Sequence, residues 1–464
     1  MMQAGSHDAT LTDFPLDILG QQSRINRLYT QITFCYSLAG DDLYSESKIV
    51  QTLEDGFRHL TQMFPWISGT IANEDGTFKI KPSTGRTNIV VKDYTKDPSI
   101  PDWNTLKQAH FPFSLLDGSY LAPCKTLEPC SEGLLVFLIQ ANFVRDRGML
   151  LTLNGQHGSM DMAGLAQVMY LFSKACRNEP FTKDELSTGN MDRRNIIPVL
   201  DDLLDWTHDR PNTPPHGEKA QEGQQIQSMP SSNDCIWVYF SFNATNLATL
   251  KSQATSTLPT GTSEFISTDD ALSAFIWHHI SRVRLQRHLE LIETTSNVKT
   301  TLSRNVDVRR HLGIPASYPG LVTDKTVHTF PLEEVANQSL GFISSNLRSA
   351  LDPGSFNRHT REVATRISQE KNSKNAPSVL IAHPELEVRL SSWAKEKCYS
   401  LDFGFGLPAA VRRPRFTDGS RDGLVYFLPK SLDDEIVVGV CLRYEDMERL
   451  KKDEEFLRFG TFLG

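Results

Sequence analysis

Asn154-Gly-Gln-His157-Gly-Ser-Met-Asp161-Met162 stands between a run of strand character and a helical pattern. Upstream, Leu134–Val144 and Met149–Leu153 alternate as strands do, and the polar turn Arg145-Asp-Arg-Gly148 joins them as a hairpin. Downstream, Leu165, Val168, Met169 and Phe172 recur at helical spacing, which predicts a helix over Met162–Arg177 with Asp161 as its N-cap. His157 therefore falls in a strand-to-helix turn beside Gly155, Gly158 and Ser159, small residues that leave room for another molecule. An imidazole titrates near pH ~6.5, so a histidine held there suits a general base; a turn histidine bonded to the backbone is the alternative. Asp161 either orients the ring or caps the helix within a local salt bridge. The structural role is favoured, because a residue four positions on, across such a turn, need not reach the ring.

Working outward, Leu28–Tyr36 reads as a strand and Ser45–Gln62 as a helix with Ile49, Leu53, Phe57 and Leu60 on one face. The segment 209–234 is rich in Pro, Gly and Gln and poor in apolar residues, the composition of a linker. It divides the chain into halves of similar size, 1–208 and 235–464. In the second half Cys235–Phe242 and Ile436–Leu442 read as strands and Tyr444–Phe456 as a final helix. Ser267-Thr-Asp-Asp270 opens a long helix to about Arg287, with Leu272, Phe275, Ile276, Ile280 and Val283 inward and Arg282, Arg284 and Arg287 on a solvated face. Strands and helices alternate without a doubly wound signature. The fold class expected is α/β, two domains with mixed sheets flanked by helices.

Composition narrows the function. The 464 residues carry a net charge of −8 and are 39% hydrophobic, enough for sizeable cores but without the basic stripe of a nucleic-acid binder. No apolar run approaches the ~18–20 residues of a membrane span, and the polar, acidic start is unlike a signal peptide. Seven scattered cysteines without a Cys-x-x-Cys fit reduced thiols in the cytoplasm rather than a metal cluster or a disulfide framework. Asn243-Ala-Thr245 and Asn337-Gln-Ser339 are then chance glycosylation matches.

Gly404-Phe-Gly406-Leu-Pro-Ala409 formally matches a dinucleotide fingerprint, but Pro408 and Pro414 prevent the helix that motif needs. The helix start at Ser267 offers free amides to a phosphate, but Asp269 and Asp270 in its first turn repel an anion. The hydroxyls of Ser267 and Thr268 remain candidates, and Arg412–Arg413 suit a phosphate or a carboxylate.

His157-Gly-Ser-Met-Asp161 and Asp402-Phe-Gly-Phe-Gly406 together resemble the two signatures of the BAHD acyltransferases, His-x-x-x-Asp and Asp-Phe-Gly-Trp-Gly. Ser173-Lys-Ala-Cys-Arg-Asn178, Ser267–Trp277, Tyr318-Pro-Gly-Leu321 and Leu390-Ser-Ser-Trp-Ala-Lys395 extend the resemblance over nearly the whole chain, nearest to the fungal trichothecene 3-O-acetyltransferase branch. Met162 and Phe405 depart from the usual Gly and Trp. The resemblance implies two domains with a channel between them and His157 where acyl-CoA and acceptor meet. It implies that Asp161 points away from the channel and pairs with an arginine, here Arg309, and that Asp402, Gly404 and Gly406 form a structural motif. Ser267, Thr268, Trp393 and Arg413 are the expected CoA contacts.

The expectation is a monomeric, cytoplasmic O-acyltransferase moving acetyl from acetyl-CoA to a hydroxyl of a small fungal secondary metabolite, with no metal, nucleic-acid or membrane partner. An N-acyltransferase, a longer acyl donor and a non-catalytic relative are the alternatives. So is a condensation-like peptide-forming enzyme, although Gln156 stands where such domains usually carry a second histidine.

Overall fold

The computed structural model describes residues 13–38, 45–83, 87–201, 235–261, 265–291, 298–370, 384–418 and 420–464. The expected linker, 209–234, lies outside them. The first half builds a five-stranded mixed sheet in the order Ala410–Arg412, Tyr29–Ser37, Gly148–Gln156, Phe137–Val144, Ile89–Asp93. Its central hairpin turns at Asp146 and Arg147, both with positive φ (61° and 54°), which suits the right-handed twist of the paired strands. Every residue of Phe137–Val144 and Gly148–Gln156 is buried. Helices Glu46–Met63 and Met162–Cys176 cover one face, and they approach so closely that a Cβ on Gly56 would lie 2.5 Å from Cys176 Sγ.

The second half builds a seven-stranded mixed sheet, in the order Thr323–Pro331, Lys299–Asp307, Glu387–Ser392, Leu424–Phe427, Ile436–Arg443, Cys235–Phe242, Thr461–Phe462. Glu387–Ser392 runs parallel to both its neighbours, and the other pairs are antiparallel. Helix Thr268–Leu291 is its main cover, with Leu272, Phe275, Ile276, Ile280 and Val283 in the core. A small antiparallel sheet of Phe14–Pro15, Thr77–Lys81 and Thr70–Glu74 completes the described architecture.

Two expectations change. Arg284 and Arg287 are not solvated: their helix is enclosed on several sides, and they pair with Asp422 and Asp446, each at 3.1 Å. Arg282 alone of the three faces outward, with Glu455. The final helix is two, Tyr444–Leu450 and Glu454–Phe459, because the Asp453 carboxylate caps the second by accepting from the amides of Glu455 and Phe456.

The chain also crosses between its halves. Strand Ala410–Arg412 leaves the second half and pairs antiparallel with Tyr29–Ser37 at the edge of the first sheet. One apolar core accordingly includes Ile32, Phe34 and Leu153 together with Trp237, Trp393, Phe403 and Val411.

Candidate active site

His157 leaves the strand Gly148–Gln156 at the point where pairing with Tyr29–Ser37 ends, and its amide still donates to Leu28 O at 2.8 Å. The turn that follows is held from beneath. Gln156, fully buried, accepts the Ser159 amide at 2.8 Å and donates to Asn26 O at 2.9 Å. Asn26 in turn donates to Gly20 O, and a Cβ on Gly158 would lie 2.1 Å from its Oδ1, so the turn needs glycine there. Arg193 donates to Ser159 O at 2.6 Å and stacks over Trp66, its guanidinium carbon 4.3 Å from the ring centroid. Buried Asp17 sits 3.6 Å from Arg193 and accepts from the Leu321 amide and the Tyr318 hydroxyl. Asp17, Asn26 and Arg193 escaped the sequence reading because they belong to no local pattern. Gln156 was visible only as a missing histidine.

The His157 ring is partly exposed, and its Nδ1 lies 3.2 Å from Met160 O. A carbonyl oxygen only accepts, so Nδ1 carries the proton and Nε2 is left with a free lone pair. Nε2 has no partner among the described residues. Burial lowers the pKa of the ring below its ordinary value. The Met160 carbonyl and the Asp161 charge oppose that shift, and Arg413 adds to it. The resting ring is neutral at pH 7.

Asp161 faces away from the ring. Its Oδ1 caps the helix by accepting the Gly164 amide at 2.8 Å and also accepts Arg309 Nη2 at 2.9 Å. Its Oδ2 accepts Arg309 Nη1, the Val322 amide and the Thr323 hydroxyl at 2.8–2.9 Å. Burial works against this carboxylate, but Arg309 and the backbone donors outweigh it and hold its pKa below the usual range. Arg309 also donates to Tyr318 O, Gly320 O and Asp307, so every N–H of its guanidinium has an acceptor. This fork joins residues 148 positions apart.

The second motif packs into the core of the first sheet, beside Thr52 and the end of helix Met162–Cys176. Asp402 Oδ1 accepts the amides of Gly404, Phe405 and Gly406 at 2.7–3.1 Å, and φ values of 94° and 91° require glycine at 404 and 406. Phe403 packs edge-on to Phe34, with ring centroids 5.3 Å apart, and Phe405 edge-on to Tyr36 at 4.9 Å. No helix follows; strand Ala410–Arg412 does.

The expected CoA residues fall in one neighbourhood. Arg413 emerges directly after that strand and sits among three rings, Phe416 at 4.2 Å, Tyr426 at 4.3 Å and Trp393 at 5.5 Å. Ser392, next to Trp393, donates to Asp269 at the start of helix Thr268–Leu291. The Ser267 hydroxyl is engaged in a closed capping box, donating to Asp270 Oδ2 at 2.8 Å and accepting the Asp270 amide at 3.1 Å. The Thr268 hydroxyl has no partner among the described residues. Arg412, unlike Arg413, donates from its terminal nitrogens to Tyr399, Val411 O and His110 O, although its buried Nε is also without a partner. Among the described residues, no group of three His, Cys, Asp or Glu side chains is placed to hold a metal ion, and no helix is long and apolar enough to cross a membrane.

Residues 28–176 match the trichothecene 3-O-acetyltransferase-like N-terminal domain. The chain is 43% identical to the O-acetyltransferase dmxR13 of Cryptosporiopsis sp., over 97% of this chain and 98% of that one. It is 39% identical to the trichothecene 3-O-acetyltransferase TRI101 of Fusarium sporotrichioides, over the full length of both. The chain belongs to the trichothecene 3-O-acetyltransferase-like family. It is an acyltransferase. The crystal structure of F. graminearum TRI101 complexed with coenzyme A and deoxynivalenol superposes with a TM-score of 0.86 at 38% identity, over 98% of this chain and all of that one. Vinorine synthase, at 15% identity and a TM-score of 0.67, shares the fold.

Proposed function

We propose that the protein transfers an acetyl group from acetyl-CoA to a hydroxyl of a small secondary metabolite, with His157 as general base. The observation that carries this reading is the His157 tautomer: a carbonyl holds the Nδ1 proton, and Nε2 is left without a partner among the described residues on a partly exposed ring. A hydroxyl is a weak nucleophile near pH 7, and a neutral imidazole accepts its proton as the oxygen attacks the thioester carbon. Loss of CoA as a thiol completes the transfer, with no acyl-enzyme required. Relatives named as O-acetyltransferases, and a neighbour complexed with both CoA and a trichothecene, support the substrate classes.

Asp161, Arg309 and the Asp402 loop are read as architecture. Trp393 and Arg413 are read as the CoA-side wall, with Thr268 a better candidate contact than the already engaged Ser267. The seven free cysteines support a reducing, cytoplasmic setting. We read the enzyme as a monomer acting in a channel between its two halves.

The test is incubation with acetyl-CoA and a panel of fungal alcohols and amines, trichothecenes included, followed by mass spectrometry. A hydroxyl gaining an acetyl group with wild type, and ~10²-fold or more slowly with a folded His157→Ala variant, is the expected result. Acetylation of amines alone, or undiminished turnover by His157→Ala, would overturn the reading.

A further inference from the structure

The tautomer of His157 depends on one carbonyl. Met160 O meets Nδ1 at 3.2 Å, and the proton it holds there leaves Nε2 able to accept another. The direction of that carbonyl is set by the two planar peptides that meet at Met160, one on each side. Both are fixed from outside the turn, and one buried ion pair reaches both.

The peptide before Met160 carries Ser159 O, which accepts Arg193 Nη1 at 2.6 Å. The peptide after it carries Met160 O itself and the Asp161 amide, which donates to Gly320 O at 3.5 Å. Gly320 O also accepts Arg309 Nη2 at 2.7 Å. The opposite edge of the Gly320–Leu321 peptide belongs to Asp17, whose Oδ2 accepts the Leu321 amide at 3.0 Å. The approach is close: a Cβ on Gly320 would lie 2.3 Å from that oxygen. The same Oδ2 stands 3.6 Å from Arg193 Nη1, which closes the circuit around Met160.

The pair is itself held in place. Arg193 and Asp17 are both buried. The Arg193 guanidinium lies over Trp66, and Trp66 Nε1 is anchored by donating to Gly189 O at 2.9 Å. Asp17 Oδ1 accepts the Tyr318 hydroxyl. For stability alone, an apolar pair of similar volume would serve as well as a buried ion pair. What an apolar pair would not supply is a donor to Ser159 O and an acceptor for the Leu321 amide.

We propose that Arg193 and Asp17 are positioning residues for the acyl transfer: together they aim the Met160 carbonyl and so keep His157 in the tautomer that presents a lone pair at Nε2. The proposal rests on the reading of His157 as general base. Without the pair, the Met160 carbonyl drifts from Nδ1 and the ring populates the other tautomer, which offers the acceptor hydroxyl an N–H instead of a lone pair.

The test compares wild type, Arg193→Met, Asp17→Asn, Arg193→Lys and His157→Ala with acetyl-CoA and the hydroxyl acceptor found by the panel. Rates are taken per folded molecule. The tautomer is read from the ring-nitrogen shifts of His157 by NMR at a pH where the ring is neutral, its signals identified by their absence in His157→Ala. For Arg193→Met and Asp17→Asn, kcat is expected to fall ~10–10²-fold with KM for acetyl-CoA little changed, and the Nε2–H tautomer to appear. Arg193→Lys, which keeps a charged donor without the planar fork, is expected to lie between wild type and Arg193→Met in both readouts, and it serves alone if the other two do not fold. Wild-type kcat in the folded variants would overturn the proposal. So would a loss of kcat with an unmoved tautomer, since a merely structural role would lower activity without changing the ring. If these variants stay active while His157→Ala is dead, this proposal alone fails. If His157→Ala keeps turnover, the general-base reading fails with it.

Discussion

Arg309 and Arg413 are both almost wholly buried, 1% and 3% exposed, and both stand where the two halves of the chain meet. Their surroundings are opposite. Arg309 meets a carboxylate bidentately and has an acceptor for every N–H, whereas Arg413 meets three rings and no acceptor among the described residues. A saturated guanidinium holds parts together and has nothing left to offer a substrate. An unsaturated one holds nothing and is poised to respond to charge. The same residue type is thus saturated at one place along the boundary between the halves and unsaturated at another.

The comparison breaks most visibly in stability. Removing one partner of a buried pair leaves the other charge uncompensated, typically at a cost of ~3–5 kcal/mol. Arg309→Met and Asp161→Asn should each lose stability on that scale in denaturant unfolding, and a double-mutant cycle should show strong coupling. Full stability in Asp161→Asn would mean that Asp161 orients His157 instead of holding Arg309.

The second motif should respond less. Gly404 has φ of 94°, where a side chain is strained, and its Cβ would press on Thr52 at 3.0 Å. Gly404→Ala is expected to cost ~1–2 kcal/mol by thermal unfolding. Asp402→Ala strands three amides and should cost ~1–3 kcal/mol. Losses of turnover should track the unfolded fraction in both.

Arg413→Met should be nearly silent in stability, within ~1 kcal/mol of wild type or above it, because no carboxylate is left behind. A collapse comparable to that of Arg309→Met would erase the distinction between the two arginines.

The smallest effect is a shift in pH dependence. With His157 as the proposed general base, turnover needs its ring neutral; its pKa lies below its ordinary value, so activity is expected to fall only as pH drops through that lowered pKa. Removing the Asp161 charge, which favours the imidazolium, should move this acid limb to lower pH. Removing Arg413, which disfavours it, should move the limb to higher pH. Shifts of the same sign would show that the two charges do not act on His157 from opposite sides.

Much of this was legible in the sequence. The strand–turn–helix around His157 follows from alternation on one side, a 3.6-residue period on the other and an N-cap between, all of them local signals. The glycines of the Asp402 loop were marked only by the family resemblance; that a carboxylate gathers three amides there is seen in the tertiary structure. The final helix was misjudged because Asp453 caps a new start within a continuous apolar pattern. Arg284 and Arg287 were misjudged because charge spacing on a helix does not reveal which carboxylates arrive from Asp422 and Asp446, far along the chain.

The sequence by itself determined the element types, the place of the His157 turn and the residue pair that resembles a family signature. Only the tertiary structure decided which arginine is saturated and which is not. That depends on the crossover of Ala410–Arg412 into the first sheet, which aims Arg412 at Tyr399 and backbone carbonyls and leaves Arg413 among rings. Adjacent residues on a strand point to opposite faces, so one step in register gives two identical side chains different environments.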